Sequence, residues 1–586
     1  MSDNNLDNLR HSCAHLLAAA VMDLYPKTKR TIGPSIENGF YYDFDFGDQK
    51  ITNEDFPKIE AKMLEILPTW KGFEGREVSK EEALEVYKGN EFKEELIEEF
   101  SASGETLTFY KSGNYSDLCR GGHVEHPNTE LTHFKLLSVA GAYWRGNEKN
   151  KMLTRIYGTC FPSKVELENH LKQLEQAKER DHRKLGRELE LFMSSPSVGP
   201  GLVLWLPKGT ILKDQLEQLG REREELLGYQ RVSTPHIAKE ELFIKSGHLP
   251  YYADDMYPAM KTEGEGTYYL KPMNCPHMHE IYKFKPHSYR DLPMRLAEFG
   301  TVYRYEDSGT LMGLMRVRGL TQNDAHIYCT EDQAHDEIVL VMNLHTYYYE
   351  LLGIKDYHIE LCLPDFDKKP DKYFDNPQGW EKAIKILRET AKKNNIEVTE
   401  TVGTAAFYGP KFDFIIKSAI GREFGASTNQ LDFGSGDRFE LKYTDSDGTD
   451  KIVPYVIHRA PLGSDERFIG FLIEHFGGAF PVWLSPIQLS ILTLNEDVLT
   501  YAKEIEQKGR ELGIRVSIDD SNSTLGAKIR EAQEQKIPYM MIVGNKEVES
   551  KTVSLRLRTG EEMKDQGVEE VLSRISDKIR SRVIEL

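Results

Sequence analysis

Length is the feature of this chain that most constrains its fold, because 586 residues are too many for a single hydrophobic core. Such cores stop growing at about 250–300 residues, so we expect three or four domains. Hydrophobic residues make up 39% of the sequence and charged residues 29%, which is typical of a soluble globular protein. The chemistry of the chain is thus expected to be spread over several folded modules.

Sequence features of membrane and secreted proteins are missing. No apolar run approaches the roughly 20 residues that a membrane-spanning helix needs, and the N-terminus has no basic segment followed by an apolar stretch. The six cysteines are scattered, which argues for free thiols and against a disulfide framework. We therefore expect a cytoplasmic protein without a membrane partner.

The net charge of −19, taken alone, argues against a nucleic-acid partner, since phosphate binding needs Lys and Arg. This average hides local differences. Residues 501–586 hold 16 basic and 16 acidic side chains, and residues 178–187 are locally basic. Charge therefore leaves binding to an RNA undecided.

Changes in composition and in hydrophobic periodicity divide the chain into four segments. Residues 1–160 combine a helix over 6–24 with short strands, which predicts an α/β domain. Residues 161–188 are charged and have helical periodicity, as in a solvated connector. Residues 189–486 predict an antiparallel sheet with surrounding helices, and residues 487–586 predict a small α/β domain with a mostly parallel core.

Three arginines and one glutamate form a candidate nucleotide site. Arg304 and Glu306 are two residues apart on a predicted strand, so their side chains would share one face, and Arg316 is placed on the next strand. Arg467 lies in the first turn of a predicted helix, where an anion is stabilised. Guanidinium groups can grip phosphate oxygens, and a carboxylate can accept a hydrogen bond from an adenine amine. Surface ion pairs are the commoner explanation of such residues, so the pattern alone does not decide.

Histidines and cysteines form two further candidate sites. His11 and His15 are one helical turn apart, and Cys119 and His123 follow closely after Asp117. This spacing suits either a zinc site or a set of hydrogen-bonded groups. The members of a second set are too far apart for their spacing to predict a shared metal: Cys275, His326 and His458.

Several longer strings resemble one enzyme family. GTVYRYEDSGTLMGLMRVRGLTQNDAHIYC and HRAPLGSDERFIGFLIEHFGGAF resemble the second and third signature motifs of class II aminoacyl-tRNA synthetases, and GYQRVSTPHI resembles the first. KPMNCPHMHEIY, AFYGPKFDF, HSCAHLLAAAV and SDLCRGGHVEH resemble segments of bacterial threonyl-tRNA synthetases. The resemblance covers nearly the whole chain. It implies a homodimer that joins L-threonine to tRNA(Thr) with ATP, with an editing domain, a class II catalytic domain and an anticodon-binding domain.

The resemblance implies roles for the candidate nucleotide residues. Arg304 would hold the α-phosphate of ATP, where charge builds as the carboxylate of threonine attacks. Arg316 and Arg467 would hold the rest of a bent ATP whose phosphates bind Mg²⁺, and Glu306 would recognise adenine. Catalysis by positioning and charge would then need no side-chain nucleophile.

The resemblance also implies one zinc ion per subunit, held by Cys275, His326 and His458. The open coordination position would take the amino group and hydroxyl of threonine, which valine cannot match because it lacks the hydroxyl. The rest of the threonine pocket would be formed by Gln322, Asp324 and Tyr408.

Serine differs from threonine by one methyl group, which allows only about 10- to 200-fold discrimination. A second, hydrolytic site is therefore expected. The resemblance places it at a set of residues near the N-terminus: His11, His15, Asp117, Cys119 and His123. In the family these groups align a water molecule on the ester of Ser-tRNA(Thr) without a metal.

The last segment resembles anticodon-binding domains, in which Asn522, Glu547 and Arg556 occupy base-reading positions. The chain departs from the family pattern at two pocket positions. Gly425 stands where a glutamine is usual, and His277 stands where a glycine is usual. The first sequence segment that resembles the editing domain, HSCAHLLAAAV, begins at residue 11. We therefore expect the small ubiquitin-like domain that usually precedes the editing domain in bacterial relatives to be absent.

Two alternative functions stand beside this interpretation. One is a tRNA-binding regulatory paralogue without aminoacylation, against which the retained arginines and zinc ligands argue. The other is a class II synthetase for another amino acid, such as proline or serine, which would not need the three metal ligands.

Overall fold

The computed structural model of the protein describes residues 3–147, 149–368, 370–418, 421 and 423–586. These residues form two compact units, one ending at Glu175 and the other beginning at Gln176. Among the described residues, no helix combines the length and the apolar character that a membrane crossing would need.

The first unit packs helices against two antiparallel sheets. Its helices are α1 (Asp3–Leu24), α2 (Phe56–Ile66), α3 (Lys80–Val86), α4 (Glu91–Ala102), α5 (Pro127–Glu130) and most of α6 (Lys164–Arg180). Its strands are β1 (Lys29–Arg30), β2 (Ser35–Ile36), β3 (Gly39–Asp45), β4 (Glu74–Glu77), β5 (Thr108–Ser112), β6 (Tyr115–Leu118), β7 (Phe134–Tyr143) and β8 (Met152–Cys160). One sheet contains β1, β2, β3, β8 and β7, and the other contains β4, β5 and β6.

Helix α1 lies in the core of the first unit. Every side chain from Leu9 to Val21 is buried except that of His11, which is half-buried. These side chains pack against Phe44 and Ile156 of the larger sheet. A helix that is apolar on nearly all sides is expected in such a position, and the predicted helix over residues 6–24 is confirmed.

The second unit begins with a large sheet covered by helices. The helices of this part are α7 (His182–Glu188), α8 (Pro207–Leu226), α9 (Glu240–Ser246), α10 (His248–Tyr251), α11 (Cys275–Tyr282), α12 (Glu331–Leu351), α13 (Pro377–Lys393), α14 (Ser435–Phe439) and α15 (Asp465–Phe476). Its strands are β9 (Phe192–Met193), β10 (Leu204–Trp205), β11 (Gln230–Arg231), β12 (Ile237–Lys239), β13 (Met260–Thr262), β14 (Gly266–Leu270), β15 (Met294–Tyr303), β16 (Gly319–Cys329), β17 (Tyr357–Leu363), β18 (Thr399–Val402), β19 (Lys411–Lys417), β20 (Glu423–Asp432), β21 (Lys442–Thr444), β22 (Asp450–Ile452) and β23 (Tyr455–Ala460).

The large sheet follows the order β11-β15-β16-β23-β20-β19-β17-β18. Its ladders are antiparallel except for the parallel pairs at the two edges, β11–β15 and β17–β18, so the predicted antiparallel sheet is confirmed. Ile327 of β16 and Ile457 of β23 belong to the main hydrophobic core. Because side chains alternate along a strand, their neighbours His326 and His458 point to the opposite face.

The end of the chain forms a smaller sheet with four helices: α16 (Leu499–Glu511), α17 (Leu525–Glu534), α18 (Asn545–Ser550) and α19 (Val568–Ser581). The strands are β24 (Leu489–Thr493), β25 (Val516–Asp519), β26 (Tyr539–Val543), β27 (Thr552–Leu557) and β28 (Glu562–Gly567). The first three strands pair in parallel, and β27 and β28 are added antiparallel. The predicted mostly parallel core is therefore only partly correct, because the short link between β27 and β28 allows a hairpin but no crossover.

The predicted helical connector over residues 161–188 consists of two helices. Helix α6 ends at Arg180 and α7 begins at His182. Between them, Asp181 leaves the helical conformation and its carboxylate accepts a hydrogen bond from the Arg183 amide at 2.8 Å. An aspartate at this position caps the next helix, so the connector is interrupted at Asp181.

Candidate functional site

The candidate nucleotide residues lie around the loop that joins β15 to β16. The prediction that Arg304, Glu306 and Arg316 lie on the strands themselves is wrong, because β15 ends at Tyr303 and β16 begins only at Gly319. The Arg304 amide still donates to the Arg318 carbonyl at 2.9 Å, and the chain then leaves the ladder. Arg467 lies in the first turn of α15, as predicted.

Two of these arginines have no carboxylate partner among the described residues. Arg304 Nε donates to the Pro272 carbonyl at 3.3 Å. Arg467 donates to the carbonyls of Met315 at 3.0 Å and Gly425 at 3.1 Å. Their positive charges are therefore available to an anion.

The other two candidate residues pair with each other. Arg316 Nε donates to Glu306 Oε2 at 2.7 Å, and half of the Arg316 side chain is exposed. Such an exposed pair contributes little to stability, so either partner can turn to a ligand at small cost.

Two neighbouring cavities meet at this loop. The candidate ATP cavity, called the ATP cavity below, has a volume of about 270 Å³ and is lined by Arg304, Glu306, Arg316 and Arg467. The candidate amino-acid cavity, called the amino-acid cavity below, has a volume of about 300 Å³ and contains Cys275. Six residues line both cavities: Arg304, Gln322, Lys411, Thr428, Gln430 and Ala460. Groups bound in the two cavities would therefore lie next to each other.

Cys275, His326 and His458 come together although they are far apart in sequence. Their ligand atoms all lie within 4.8 Å of one another, and all three residues are buried. Cys275 begins α11, and His326 lies directly opposite His458 in the β16–β23 ladder. Long-range strand pairing thus brings them together, which no short spacing could have indicated.

The surroundings of this cluster fit a metal ion. His458 Nε2 lies 2.9 Å from Asp432 Oδ2, and this carboxylate also accepts from the Ser435 amide at 2.9 Å. A carboxylate that binds one ring nitrogen in this way orients an imidazole and leaves its other nitrogen, Nδ1, for a metal. Neither ring nitrogen of His326 has a hydrogen-bond partner among the described residues, and Nδ1 lies 4.0 Å from Asp324 Oδ1. A thiol and two imidazoles with one position left open are a donor set for zinc.

His277 lies outside this cluster. Its ring is 6.4 Å from the ring of Phe243. Burial lowers the pKa of His277 to about 4, so the ring is neutral at pH 7. The departure from the usual glycine therefore adds no group to the cluster of Cys275, His326 and His458.

The candidate threonine residues line the amino-acid cavity beside the cluster. Asp324 Oδ2 accepts from Asn274 Nδ2 at 2.9 Å, and burial raises the pKa of Asp324 to about 6. The Tyr408 ring stacks on His458 at 4.8 Å, and its hydroxyl donates to Gln430. Gln322 lines both cavities.

Sequence reasoning missed three side chains of this site: Asn274, Gln430 and Asp432. Asn274 immediately precedes Cys275, and Gln430 and Asp432 are two residues apart on β20. The alternation of Thr428, Gln430 and Asp432 is a signal that could have found the last two, since it predicts a polar face on a strand.

Gly425 lines the ATP cavity, where its departure from the family pattern leaves space. A Cβ atom at this position would meet only Ile415 Cδ1, at 3.8 Å, among described atoms within 4 Å. The Gly425 carbonyl instead holds Arg467. The backbone at this position thus contributes to the site although a side chain is missing.

The first unit contains a second cluster, formed by the candidate editing residues His11, His15, Cys119 and His123 and called the editing cluster below. Their ligand atoms also lie within 4.8 Å of one another. His11 Nε2 is 2.9 Å from Cys119 Sγ, and His123 Nε2 is 3.5 Å from it. The His11 and His15 rings are 4.8 Å apart, which confirms that they share one face of α1. His11, His15 and Cys119 line a cavity of about 440 Å³.

Burial sets the protonation states of the editing cluster. It raises the pKa of Cys119 to about 11, so this residue is a thiol and not a thiolate at pH 7. It lowers the pKa of His123 to about 3 and that of His15 well below its ordinary value, so both rings are neutral. A neutral imidazole can accept a proton, whereas a thiol with this pKa is a poor nucleophile.

Asp117 lies beneath the editing cluster in a buried polar network. It accepts from Lys93 Nζ at 2.8 Å, from the Tyr42 hydroxyl at 2.5 Å and from the Tyr87 hydroxyl at 2.6 Å. Burial alone would raise the pKa of Asp117, but the charges of Lys93 and Arg30 outweigh it and hold the pKa well below its ordinary value. Sequence reasoning missed Lys93, which also lines the cavity.

The three candidate anticodon residues lie on separate elements of the C-terminal sheet. Asn522 is exposed in the loop after β25. Glu547, in the first turn of α18, accepts from the Gly544 amide at 3.0 Å and from the Ser554 hydroxyl at 3.2 Å. Arg556 on β27 pairs with Glu562. Base reading by Arg556 would require that this pair opens.

Known protein families match three segments of the chain. Residues 259–476 match the tRNA synthetase class II core domain (G, H, P, S and T). Residues 488–578 match the anticodon binding domain, and residues 107–157 match the threonyl and alanyl tRNA synthetase second additional domain.

Individual proteins are similar over almost the full chain. The threonine–tRNA ligase of Flavobacterium psychrophilum is 48% identical over 575 residues, which are 97% of this chain and 88% of that protein. The enzyme of the same name from Geobacillus kaustophilus is 47% identical over 581 residues, with coverage of 98% and 88%. The crystal structure of the RNA binding domain of threonyl-tRNA synthetase from Cryptosporidium parvum Iowa II has a TM-score of 0.64 and 36% identity, and the match covers 68% of this chain and 98% of that one.

Proposed function

The chain belongs to the threonine–tRNA ligase family, and from this premise we propose which of its residues activate threonine and which remove errors. It is a class II aminoacyl-tRNA synthetase that joins threonine to tRNA with ATP and Mg²⁺ and edits the product. One observation supports the residue assignment most strongly. A cavity with two arginines that have no carboxylate partner among the described residues shares lining residues with a cavity that contains the cluster of Cys275, His326 and His458.

ATP binds in the ATP cavity with its α-phosphate on Arg304. The carboxylate of threonine attacks this phosphorus, a P–O bond forms, and pyrophosphate leaves with the electrons of the bond that breaks. Arg304 and Arg467 donate to backbone carbonyls and have no carboxylate partner among the described residues. Their positive charges can therefore stabilise the negative charge that develops on the phosphate. Arg316 and Glu306 separate to bind the distal phosphates and adenine.

Threonine is selected in the amino-acid cavity. A zinc ion held by Cys275, His326 and His458 would supply an open coordination position for the amino group and hydroxyl of the substrate. Asp324 accepts a hydrogen bond from the amino group, and Gln322 and Tyr408 close the pocket. A site built for a hydroxyl rejects valine far better than an apolar pocket does, because the polar groups would be left unpaired.

The assignment is tested by ATP–pyrophosphate exchange with threonine. Arg304→Ala should lower the exchange rate about 10²- to 10³-fold, because it removes a preorganised charge from the transition state. Arg388→Ala is the matched control, since Arg388 is exposed and pairs with Glu400 on the surface of the same unit. A rate in Arg304→Ala equal to that of the control would contradict the ATP assignment.

Editing takes place at the cluster in the first unit. Water attacks the ester carbonyl of Ser-tRNA, a neutral histidine takes the proton, and the terminal ribose oxygen leaves with a proton. The raised pKa of Cys119 supports this route over covalent catalysis by a thiolate. These groups act without a metal ion in this proposal, although their spacing would also suit one.

A double variant separates the two activities. His15→Ala with His123→Ala should leave threonylation intact and let Ser-tRNA accumulate, because general acid–base help is worth roughly 10²–10⁴-fold. Elemental analysis should give one zinc per chain in both proteins. A folded double variant that still clears Ser-tRNA at the parental rate, or a parent with two zinc ions of which the double variant loses one, would contradict this assignment.

The remaining assignments concern domains and assembly. We assign editing to residues 1–160, connection to 161–188, synthesis to 189–486 and anticodon reading by Asn522, Glu547 and Arg556 to 487–586. The enzyme works as a cytoplasmic homodimer. The segment that resembles the dimer motif follows the exposed apolar side chain of Leu226 and ends at that of Ile237, 76% and 44% accessible, which supports this assembly. A monomeric mass in light scattering of active enzyme would contradict it.

A further inference from the structure

His182 is a buried histidine that the proposed mechanism does not use. It is the first residue of α7, and its side chain is 1% exposed. Its Nδ1 lies 2.7 Å from Glu474 Oε1, and its Nε2 lies 3.1 Å from the Leu314 amide nitrogen. A carboxylate can only accept and an amide N–H can only donate, so the ring carries its proton on Nδ1 and is neutral.

The group that His182 holds belongs to the loop before Arg316. This loop turns tightly, with the Met315 amide donating to the Met312 carbonyl at 2.9 Å. Gly313 has a φ of +51°, and a Cβ atom there would lie 2.2 Å from His182 Nε2. The loop therefore approaches the imidazole more closely than a side chain would allow.

Helix α15 holds the same turn at a second point. Arg467 Nε donates to the Met315 carbonyl at 3.0 Å. Glu474 is two helical turns further along α15, so it lies on the same face and reaches the neighbouring Leu314 amide through His182. One helix thus fixes backbone groups of two neighbouring residues, the Met315 carbonyl directly and the Leu314 amide through an imidazole.

We propose that His182 is a positioning residue for ATP: the neutral ring holds residues 312–316 and thereby sets Arg316 over the ATP cavity. This inference rests on the proposed role of Arg316 in binding ATP. Without the ring nitrogen the buried Leu314 N–H loses its acceptor, and the loop keeps only the bond between Arg467 and the Met315 carbonyl to α15. The expected consequence is weaker ATP binding with unchanged threonine binding, since the amino-acid cavity is not lined by this turn.

Two substitutions of His182 test the acceptor role in ATP–pyrophosphate exchange. His182→Phe keeps a ring and removes both nitrogens, and should raise KM for ATP about 5- to 150-fold, the range expected for an unsatisfied buried donor. His182→Gln retains an acceptor and should bring KM for ATP back to within about threefold of the parent. KM for threonine and the zinc content should not change in either variant.

Gly313→Ala provides an independent test if His182→Phe does not fold. Its Cβ atom would push the turn away from Nε2 while the pair of His182 and Glu474 stays intact. It should raise KM for ATP in the same range and leave KM for threonine unchanged. Equal rises in both KM values would assign a general structural role to the turn and overturn the inference.

Arg316→Ala separates failure of the inference from failure of the proposed function. A raised KM for ATP in Arg316→Ala beside an unchanged KM in His182→Phe overturns the inference alone. So does a His182→Gln variant that behaves like His182→Phe. An unchanged KM for ATP in Arg316→Ala overturns the ATP assignment, and the inference with it.

Discussion

Replacing Asp117 by Asn should favour local unfolding of the first unit, because it leaves the buried ammonium group of Lys93 without its negatively charged partner. The Asp117 and Lys93 side chains are 2% and 3% exposed, and their charged atoms are 2.8 Å apart. The nearby Arg30, with Nε at 3.5 Å, adds a second positive charge. Breaking a buried pair by removing one partner costs about 3–5 kcal/mol, and 4 kcal/mol is about a thousandfold in the opening equilibrium.

Native-state hydrogen exchange of the β5 and β6 amides measures this cost directly. The matched control is Glu82→Gln, which removes a carboxylate from an exposed pair with Arg76 in the same unit and should cost less than about 1 kcal/mol. Adding Lys93→Met to Asp117→Asn should restore part of the protection, since the unpaired charge is then gone. Threonylation should persist while Ser-tRNA accumulates.

The sign of the pH dependence gives a second check on Asp117. Its folded-state pKa is held below its ordinary value of about 3.9, so its stabilisation is complete above that pH and is lost only as the pH falls further. The cost of Asp117→Asn should therefore be the same at pH 6 and at pH 8. Exchange rates in Asp117→Asn that match those of Glu82→Gln would refute the buried-charge argument.

Four further results are expected. Glu224→Ala should lower the free energy of unfolding of the second unit by about 3–5 kcal/mol in urea, because it leaves the fully buried Arg459 without its carboxylate partner. A loss of unfolding free energy below about 1 kcal/mol would contradict this. Cys275→Ser should lose zinc in elemental analysis and activity with it, and full activity without zinc would remove the metal from the proposal. Stability should fall as the pH drops from about 6.5 toward 3. Burial holds the pKa of both His123 and His345 at about 3 in the folded protein, so the unfolded chain binds more protons in this range. Urea midpoints that do not change with pH in this range would contradict the prediction. Arg556→Ala should weaken discrimination between threonine and other anticodons in charging assays, and unchanged discrimination would show that the residue is wrongly assigned.

Local patterns in the sequence were sufficient for the elements that carry the editing cluster. The helical periodicity of residues 6–24 and the four-residue spacing of His11 and His15 predict a helix with both rings on one face, and both features are confirmed. The partners of Asp117 could not be predicted in this way. Lys93 and Tyr42 lie on other elements, and only packing brings them to one carboxylate.

The synthetic site shows the limit of local reasoning more clearly. Strand periodicity predicts a shared face for Arg304 and Glu306, but where the β15 ladder stops depends on its partner strand, so both residues lie in a loop. The pairing of His326 with His458 joins strands about 130 residues apart along the chain, which spacing cannot reveal. Family resemblance identified these residues, whereas physical patterns alone would have left them separate.

The position of β23 has a consequence for the synthesis of the protein on the ribosome. This strand is inserted between β16 and β20, although both are translated before it. Until residues 455–460 emerge, each of those strands has an unpaired edge, the state in which nascent chains are prone to misassembly. Because β23 also brings His458, the proposed set of zinc ligands is completed in the step that closes the sheet. Zinc supply and chaperone protection should therefore matter at the same moment of translation, after more than three quarters of the chain has been made.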